Sequence, residues 1–561
     1  MIKNSKKPVF KSYNSDQISL LPPSLEELIP GNHVVRVVRQ VIDQIDIDPI
    51  IKKYKGGGSS SFHPRLMLKV ITYGYLSNIY SSRKLEQAIS SNIYFMWLAG
   101  MQCPDHNTIN RFRSDKLKGV LKEVFGQVVL LMAHQGLVDI KTIYTDGTKL
   151  EANANKYTFV WGKAIKRNKA RIKSQLEELW SYAEQVAKEE LPDNDPTTYT
   201  ELDAQQVSNT IASINEALKD KPVDKKVRQK LDYAKKNWPK NLDKYNAQER
   251  ILGDRNSCSK TDPDATFMRM KDDHMRNGQL KAAYNWQIST SDQYIINYDI
   301  YQNPTDFLTF PKHLDQYKQL YGQLPDVVVA DSGYGSEENY EYLKKAGIEG
   351  FVKYPGFHKE QKAKGKIKPE EAFQSEHLYY NEKEDYFICP MGQKMEKCNE
   401  TKTTKKSGYI QVASVYRAQR CTGCPLRGAC HKSKEERTIQ FNHNLKKHRQ
   451  KARAKLLSEK GIAHRSQRPA DVEAVFGNIK QNKKFTRFLL RGEQKVLIEA
   501  GLIALAHNLA KMAKNGVEKL LFIHYTTLLK DRLSLGSIFT SRYFLSPSMS
   551  ITKKRGHLNL F

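Results

Sequence analysis

The chain has 561 residues, more than one hydrophobic core usually serves, so we expect two to four structural units. Its 91 Lys and Arg against 61 Asp and Glu leave a formal net charge of +30. Such a charge favours a polyanionic partner, and nucleic acid is the leading candidate because neutralising phosphates releases counterions. A merely soluble basic protein remains the alternative. No dominant basic amphipathic helix points to a membrane surface.

Neither secretion nor a membrane span is expected. The first residues, MIKNSKKPVFKSYNSDQ, lack the apolar run of a signal peptide, and no stretch reaches ~18 uninterrupted apolar residues. The seven cysteines are an odd number, and five of them lie between Cys389 and Cys430. We therefore expect a cytoplasmic protein whose cysteines bind metal or stay free thiols, rather than a disulfide framework.

Residues 1–135 are predicted to form a helical DNA-binding and assembly domain. The apolar run RLMLKVITYGYL follows Pro64, SSRKLEQAISSN begins with N-cap residue types, and PDHNTINRFR begins a short helix at Pro104. Arg111 and Arg113 in that last helix suit contacts with a DNA backbone. An ordinary solvated helix face is the alternative reading of either arginine.

Strand patterns after residue 136 alternate with helical ones. TIYTDGTKLEANA predicts a strand that ends at Asp146 and a second short strand after a turn at Gly147. Residues 161–264 are predicted to be a helical insertion, a hairpin or small bundle, because Ile172, Leu176 and Leu179 begin a heptad pattern that continues through Ala183 and Val186. Pro192 and Pro196 interrupt this pattern.

The segment 265–355 predicts the rest of a mixed sheet flanked by helices. Strands at 279–290 and 293–302 are joined by a hairpin turn at Ser291-Asp292, and a helix follows near 304–322. The continuous apolar run before Asp331 is typical of a strand buried on both faces. A helix and a strand at 348–354 complete the unit.

The rest of the chain is predicted to hold a second insertion, two helices and a tail. Residues 356–462 are polar, basic and cysteine-bearing, with nine Lys or Arg in 431–455, among them Lys446, Lys447 and Arg449 as candidate DNA contacts. Helices are expected from about Pro469 to Phe488 and at 496–513. The tail is 516–561. The catalytic core would then comprise residues 136–160, 265–355 and 463–515.

Three acidic residues lie where catalytic carboxylates are expected. Asp146 and Asp331 each follow a predicted strand, at the sheet edge where ligands bind in α/β proteins. Glu473 lies on a helix whose apolar stripe includes Val472 and Phe476. Such oxygen ligands hold Mg²⁺ or Mn²⁺, and two such ions promote in-line phosphoryl displacement. Each residue also has a non-catalytic explanation when it is considered alone. Either aspartate could form a turn, and the glutamate could interact favourably with the helix dipole.

Three acidic segments of the chain resemble the boxes of bacterial insertion-sequence DDE transposases. These segments are DGTKLEANANKYTFVW, ADSGYGSEENY and DVEAVFGNIKQNKKFTRFLLRG. In the last one, Glu473 and Lys480 match the family pattern of Glu, six residues, then Lys. The family also has an arginine four residues before the Glu, whereas Arg468 lies five before it, and its upstream Tyr has no obvious counterpart. The helical segments SSRKLEQAI and PDHNTINRFR are similar to the family's N-terminal domain.

The resemblance implies an α/β fold with a mixed-sheet RNase H-like catalytic core. It implies Asp146, Asp331 and Glu473 as ligands of two Mg²⁺ or Mn²⁺ ions, and Lys480 and Arg468 as contacts to the transposon end. The expected activity is phosphodiester hydrolysis followed by strand transfer on double-stranded DNA. The protein would be nucleoid-associated and would assemble as a homodimer or higher oligomer on DNA. A catalytically silent DNA-binding derivative and a metal-dependent nuclease on the same fold are the alternatives.

The clustered cysteines suggest a structural zinc site. Cys421 and Cys424 have the C-x₂-C spacing that lets two thiolates reach one ion, and Cys430 follows. With Cys389 they make the preferred set of four, and Cys398 or His431 is the substitute fourth ligand. An insertion with so little apolar sequence would gain stability from a metal. An iron–sulfur cluster and free thiols in a loop are the other readings.

Overall fold

The structure is a computed structural model, and it describes residues 24–54, 61–192, 195–270, 278–363 and 371–515. The predicted tail, 516–561, and the first 23 residues of the predicted N-terminal domain lie outside the described residues. The N-terminal region is helical, as predicted, and a π-helical turn at Phe112–Lys116 follows its sixth helix. Its helices are α1 Val34–Gln44, α2 Asp48–Ile51, α3 Pro64–Leu76, α4 Ser82–Ser91, α5 Ile93–Ala99, α6 His106–Arg111 and α7 Leu121–His134.

A mixed sheet follows the helical region. The first eight strands of the chain are β1 Thr142–Glu151, β2 Phe159–Trp161, β3 Ser257–Ser259, β4 Thr266–Arg269, β5 Leu280–Ser291, β6 Tyr294–Tyr301, β7 Val327–Ala330 and β8 Glu349–Val352. Within the described residues, six of these form one sheet in the order β4-β5-β1-β7-β8, with β6 sharing the β4 edge of β5. β1 is antiparallel to β5 and parallel to β7, and β7 is parallel to β8. This confirms the predicted mixed α/β sheet.

Two details of the predicted strands are wrong. β1 does not end at Asp146 but continues to Glu151, because the long β5 pairs with it throughout. Gly147 suits this continuous strand because a Cβ there would lie 2.1 Å from the amide nitrogen of the Gln287 side chain. The hairpin turn between β5 and β6 is Asp292-Gln293, one residue later than predicted. Both turn residues have positive φ, as a two-residue hairpin loop requires.

The chain between β2 and β3 forms a three-helix bundle with its own core. Four positions of the predicted heptad pattern, Ile172, Leu176, Leu179 and Ala183, are buried there, with Trp180 and Trp238 beside them. The side chains of Asp203 and Asp224 accept hydrogen bonds from the first turns of the second and third helices. These helices are α8 Gly162–Ala187, α9 Ala204–Ala217 and α10 Lys225–Leu252.

Helices on the two faces of the six-stranded sheet complete the core. α11 Phe310–Tyr321 and α12 Glu337–Lys345 connect its later strands, and α13 Phe357–Ala363 follows β8. The N-cap of α12 is Ser336, whose hydroxyl accepts from the backbone of Asn339. α12 begins six residues after Asp331, which directly follows β7.

The cysteine-bearing segment contains an antiparallel sheet, although its sequence predicted only a polar, basic insertion with little apolar sequence. In the described part of the chain it has five strands, and its small core includes Phe387, Met395, Tyr416, Ile439 and Phe441. The sequence concealed this sheet because almost every residue of its third strand is exposed, so that strand shows no apolar alternation. The elements are β9 Tyr380–Asn381, β10 Tyr386–Ile388, β11 Lys394–Thr404, β12 Ile410–Ala418, the short α14 Arg427–Cys430 and β13 Thr438–Phe441.

The last helices pack on the opposite face of the core sheet from α11. A nearly continuous helical segment runs from Glu459 to Asn482, so the helix predicted at 469–488 begins earlier and ends earlier. Lys484 has positive φ and stops it there, while Phe485 and Phe488 turn inward. The elements are α15 His443–Leu457, α16 Glu459–Arg468, α17 Ala474–Gly477 between π-helical turns at Pro469–Glu473 and Asn478–Asn482, and α18 Glu493–Lys514.

Helix α18 has the length and apolar composition of a membrane span, but it is the central helix of this core. In its most apolar window, 78% of the residues are buried inside the protein. It packs against α3 of the N-terminal region and against β6 of the sheet, so it joins these two parts.

Candidate active site

Two of the three candidate carboxylates lie side by side at one edge of the core sheet. Thr145 of β1 is opposite Ala330 of β7, so Asp146 and Asp331 are the next residues of adjacent parallel strands. Ala330 is in turn opposite Val352 of β8, which brings Lys353 to the same level on the third strand. The predicted placement of the two aspartates on adjacent strands is thus confirmed.

The third carboxylate, Glu473, is held over this row by a buried arginine. The Arg468 guanidinium contacts an Asp146 carboxylate oxygen at 3.0 Å and a Glu473 carboxylate oxygen at 2.8 Å. Its side chain is only 3% exposed, whereas that of Glu473 is 55% exposed. One planar cation therefore bridges the strand and the helix, and the two carboxylates lie on either side of it.

A π-helical turn explains the unusual spacing of Arg468 and Glu473. The turn spans Pro469–Glu473, which is the stretch between the two residues. A π turn accommodates one more residue than an α turn, so an arginine five residues before the glutamate still faces it. The sequence shows the extra residue, but it does not show that a π turn absorbs it.

Two further contacts fix this helical segment on the sheet. Asp471 in the π turn is 1% exposed, and it accepts hydrogen bonds from the Thr290 hydroxyl at 2.6 Å and from the Gln293 backbone at 3.1 Å. Upstream, His464 forms a 3.1 Å hydrogen bond with the hydroxyl of Tyr144 on β1. Both contacts orient Glu473 toward Asp146 because they lie on the same face of the sheet.

The electrostatic environment keeps Asp331 ionised. Burial opposes its ionisation, but Arg468, the Ser332 backbone and Lys353 together outweigh burial and lower its pKa. The Lys353 ammonium lies 3.7 Å from an Asp331 oxygen. Burial and nearby Arg468 lower the pKa of Lys353, although Asp331 acts in the opposite direction. The site is therefore a set of carboxylates balanced by buried cations.

Lys353 is the site residue that our sequence analysis missed. It directly follows β8 as Asp331 follows β7, and only 10% of its side chain is exposed. The strand-end rule that selected the aspartates would also have selected it, had the rule been applied to basic residues. Its register beside Asp331 makes it part of the same row.

The predicted DNA-contact residues have different environments. Arg111 and Lys447 are exposed, and Lys480 is half-buried. Lys446 lies 5.3 Å from the centres of two aromatic rings, and Arg449 forms a 2.8 Å ion pair with Glu376.

Arg113 and Arg468 require correction as DNA contacts. Arg113 is 5% exposed and donates to the Tyr75 hydroxyl at 3.1 Å and the Tyr80 carbonyl at 3.0 Å. The sequence suggested a contact with the DNA backbone, but Arg113 lies in the π turn at Phe112–Lys116 and its side chain is directed inward. Arg468 is occupied by its two carboxylates, so its guanidinium is an internal bridge.

A hydrogen-bonded Ser-His-Asp arrangement lies on the other face of β1. Ser289 is 2.8 Å from His313, and His313 is 2.5 Å from Asp299, which also contacts Lys122 at 2.6 Å. Ser289 and His313 are fully buried, so no substrate reaches the serine. We interpret it as a polar network that supports the core strands, since buried polar groups require partners.

The preferred four cysteines line one small cavity. Cys389, Cys421, Cys424 and Cys430 border a space of about 20 Å³ at the end of the five-stranded sheet, together with His431. Cys398 lies instead on an exposed part of β11, where its thiol donates to the Val415 carbonyl, so its selection as a substitute ligand is wrong. All seven cysteines are free thiols. Among the residues that the structure describes, no group of three or more His, Cys, Asp or Glu side chains is arranged to hold a metal ion.

Two family models for transposases match the chain. The model described as "Transposase domain (DUF772)" matches residues 23–115, and the model described as "Transposase DDE domain" matches residues 388–513. The first range covers most of the N-terminal helices, and the second runs from the five-stranded sheet through Glu473 into α18. Asp146 and Asp331 lie between the matched ranges. No curated protein and no solved structure matches the chain.

Over these two ranges the chain is similar to transposases. The combination of the two models is the one expected of an insertion-sequence DDE transposase.

Proposed function

We propose that the protein binds the terminal inverted repeats of its element, hydrolyses a phosphodiester at each end and joins the freed 3′-hydroxyl to target DNA. The observation that carries this proposal is the convergence of Asp146, Asp331 and Glu473 at one sheet edge. Three carboxylates beside buried cations are a costly arrangement, since burying charge is unfavourable unless it is compensated. Such a concentration of negative charge suits a function that requires it, such as the binding of divalent metal ions.

The donor set fits divalent metal ions of the Mg²⁺ or Mn²⁺ type. The three side chains offer hard oxygen ligands, and the lowered pKa of Asp331 keeps that ligand available as a carboxylate. Arg468 now supplies the positive charge that holds Asp146 and Glu473 together. Two bound ions would supply activation of the attacking oxygen and stabilisation of the leaving oxygen.

Other residues of the chain would position the DNA around these carboxylates. Lys480 lies two helical turns beyond Glu473, within reach of a terminal phosphate of the transposon end. Lys353 presents a cation beside Asp331, where a phosphate bound at the carboxylates would need a compensating charge. Arg111 and Lys447 are exposed cations that suit contacts with the DNA backbone farther away.

We further propose that the six-stranded sheet is an RNase H-like catalytic core. In this view the three-helix bundle and the five-stranded sheet are insertions into it, and the N-terminal helices bind DNA and support assembly. The active form would be a homodimer or higher oligomer on double-stranded DNA. It would work in the bacterial cytoplasm, associated with the nucleoid.

A cleavage and joining assay tests the catalytic assignment. The substrate is a labelled duplex with the terminal repeat read from the DNA flanking the encoding locus, and a plasmid serves as target. Asp146→Asn, Asp331→Asn and Glu473→Gln should each reduce both reactions by ~10³-fold or more, as expected for groups that act in the transition state. Repeat binding in a gel-shift assay should change little, because spread Lys and Arg supply affinity.

Glu459→Gln is the matched control, because Glu459 is an exposed carboxylate on the same helical segment. Its variant should keep wild-type activity. Joining that survives in any of the three site variants refutes that residue's role. A wild-type protein that cuts but never joins is a nuclease, and one that binds repeats without cutting is a silent derivative.

A further inference from the structure

The cavity at the end of the five-stranded sheet collects cysteines from three short segments, two of which belong to the same connection between β12 and β13. β10 and β12 are both antiparallel to β11, so they run in the same direction and end at the same edge of the sheet. Cys389 directly follows β10, while Cys421 and Cys424 follow β12. Cys430 ends the short helix α14, which lies between β12 and β13. Four thiols from these segments therefore border one space of about 20 Å³.

Two of these segments, at Cys389 and at Cys421–Cys424, form tight turns that contain a glycine with positive φ. The Gln393 backbone N–H donates to the Cys389 sulfur at 3.4 Å, and Gly392 between them has a φ of 80°. In the second loop Gly423 has a φ of 76°, and the Cys424 backbone donates to the Cys421 carbonyl at 3.3 Å. The Arg437 backbone also donates to the Cys421 sulfur at 3.4 Å. Backbone donors aimed at sulfur resemble the outer hydrogen bonds that orient ligands around a metal ion.

Two basic side chains line the cavity, and one of them lacks the partners that its burial requires. Both ring nitrogens of His431 are buried without a hydrogen-bond partner. Arg437 is 7% exposed, and its guanidinium donates to the Phe373 carbonyl and, at 2.8 Å, to the Cys430 sulfur. Buried polar groups are nearly always paired, so an unpaired imidazole beside four thiols indicates a missing charged group.

We propose that this cavity binds one zinc ion through Cys389, Cys421, Cys424 and Cys430. Soft thiolates select zinc over the hard cations suggested for the carboxylates, and a closed four-ligand site is structural rather than catalytic. The cysteine side chains would turn inward by rotation about their Cα–Cβ bonds, and His431 and Arg437 would then donate to metal-bound sulfurs. The ion would fasten two connections of a sheet whose own apolar core is small. This inference does not depend on the proposed catalytic function.

Metal analysis of the full-length protein tests the site. The protein is purified from cells grown without added zinc and without chelators, and its metals are measured by plasma mass spectrometry. We expect one zinc per chain in the wild type. Cys421→Ser and Cys424→Ser should each lower that ratio at least tenfold. Cys398→Ser and Cys103→Ser are matched controls, because both cysteines are exposed and lie outside the cavity, and these variants should retain the metal.

A second measurement uses the unaltered protein in case the variants fail to fold. An organomercurial reagent is titrated into the wild type while a colorimetric chelator reports released zinc. The proposal expects zinc release to follow the reaction of four thiols that were protected before it. Zinc absent from the wild type, or iron with inorganic sulfide in its place, overturns the zinc assignment. Zinc lost in His431→Ala but retained in Cys430→Ser overturns the four-cysteine ligand set.

Discussion

At the scale of single residues, Arg468 decides how the candidate site is held together. It is the most deeply buried member of the site and contacts carboxylates from a strand and from a helix. Removing one partner of a buried ion pair costs more than the pair itself contributes, because the remaining charges stay buried without compensation. Here the buried charge left without its partner would be Asp146, which is 13% exposed and would be repelled by the more exposed Asp331 and Glu473.

Arg468→Met should therefore destabilise the protein in metal-free buffer, by roughly 3 kcal/mol. The midpoint of thermal unfolding measures this loss, and added Mg²⁺ should reduce the difference from the wild type because it replaces the missing positive charge. Lys460→Met is the control, since Lys460 belongs to an exposed pair with Glu349, worth at most ~1 kcal/mol. Equal unfolding temperatures of Arg468→Met and wild type in metal-free buffer would contradict the bridging role.

Lys480→Ala should weaken the positioning of the transposon end and leave partial activity. Loss of one phosphate contact lowers affinity for repeat DNA without removing a carboxylate, so cleavage at saturating DNA should persist. Gel shifts and single-turnover cleavage at two DNA concentrations separate these effects. Lys495→Ala, an exposed lysine at the start of α18, is the comparison. If the two alanine variants behave alike, Lys480 is an ordinary helix residue.

At the scale of elements, α18 carries polar side chains into the centre of the protein. Asn508 pairs with both backbone groups of Ile295 on β6, at 2.8 Å and 2.7 Å. Glu499 is fully buried and accepts from the backbone of Leu489 and Leu490. His507 lies 3.0 Å from the Asn478 amide and 2.8 Å from the Gln293 carbonyl. These contacts fix the rotation of an otherwise uniformly apolar helix against the sheet.

His507 should make the protein sensitive to mild acid. Burial lowers its pKa to about 4 from 6.5, with Lys483, Lys511 and Lys514 adding to the effect. The unfolded state then binds more protons below pH 6.5, so stability falls as pH decreases from 6.5 toward 4. This one group accounts for ~2 kcal/mol between pH 6.5 and 5.

His507→Gln should reduce the difference in unfolding temperature between pH 7 and pH 5, because glutamine keeps a donor and an acceptor without titrating. His377→Gln, at an exposed histidine, should leave that difference unchanged. Burial raises the pKa values of Glu499 and Asp471, which stabilises the folded state as pH falls, so the test compares each variant with the wild type. An undiminished acid effect in His507→Gln would contradict the assignment.

At the scale of the whole molecule, the net charge is +30, and exposed Lys and Arg residues occur on helices outside the candidate site. Arg111 lies in the N-terminal helices and Lys447 in α15, far apart in sequence and both exposed. DNA held by several such surfaces would contact many phosphates at once. Binding of this kind weakens steeply with salt because each phosphate contact releases counterions.

Affinity for repeat DNA should fall ~10³-fold or more between 50 and 200 mM salt, as for a protein with at least six phosphate contacts. Fluorescence anisotropy over a salt series gives the slope. Arg111→Ala and Lys447→Ala should each lower the magnitude of that slope by about one. Arg113→Ala should leave the slope unchanged and lower the unfolding temperature, since its guanidinium is buried against Tyr75 and Tyr80. A slope near zero for the wild type would exclude phosphate contacts as the source of affinity.

The sequence by itself determined most elements of the core sheet, the N-terminal helices and the candidate carboxylates of this protein. This information came from local patterns, each formed by residues close together in the sequence. They are the apolar run before Asp331, the apolar stripe on the helix that carries Glu473, and the high apolar content of α18. The C-x₂-C spacing of Cys421 and Cys424 likewise marked the cysteine cavity. These patterns can be recognised in a sequence because burial of one face of a helix or strand makes apolar residues recur at regular intervals.

Only the tertiary structure decided what each side chain contacts. The length of β1 depends on its partner β5, 130 residues away, and no pattern around Asp146 reports that partner. Arg113 lies inside a π turn, and another π turn brings Glu473 to face Arg468, because one extra residue rotates every later side chain about the helix axis. Lys353 joins the site through strand register alone. Contacts between distant segments depend on side-chain packing and strand pairing. Neither produces a regular pattern of residues in one segment from which its partner could be predicted.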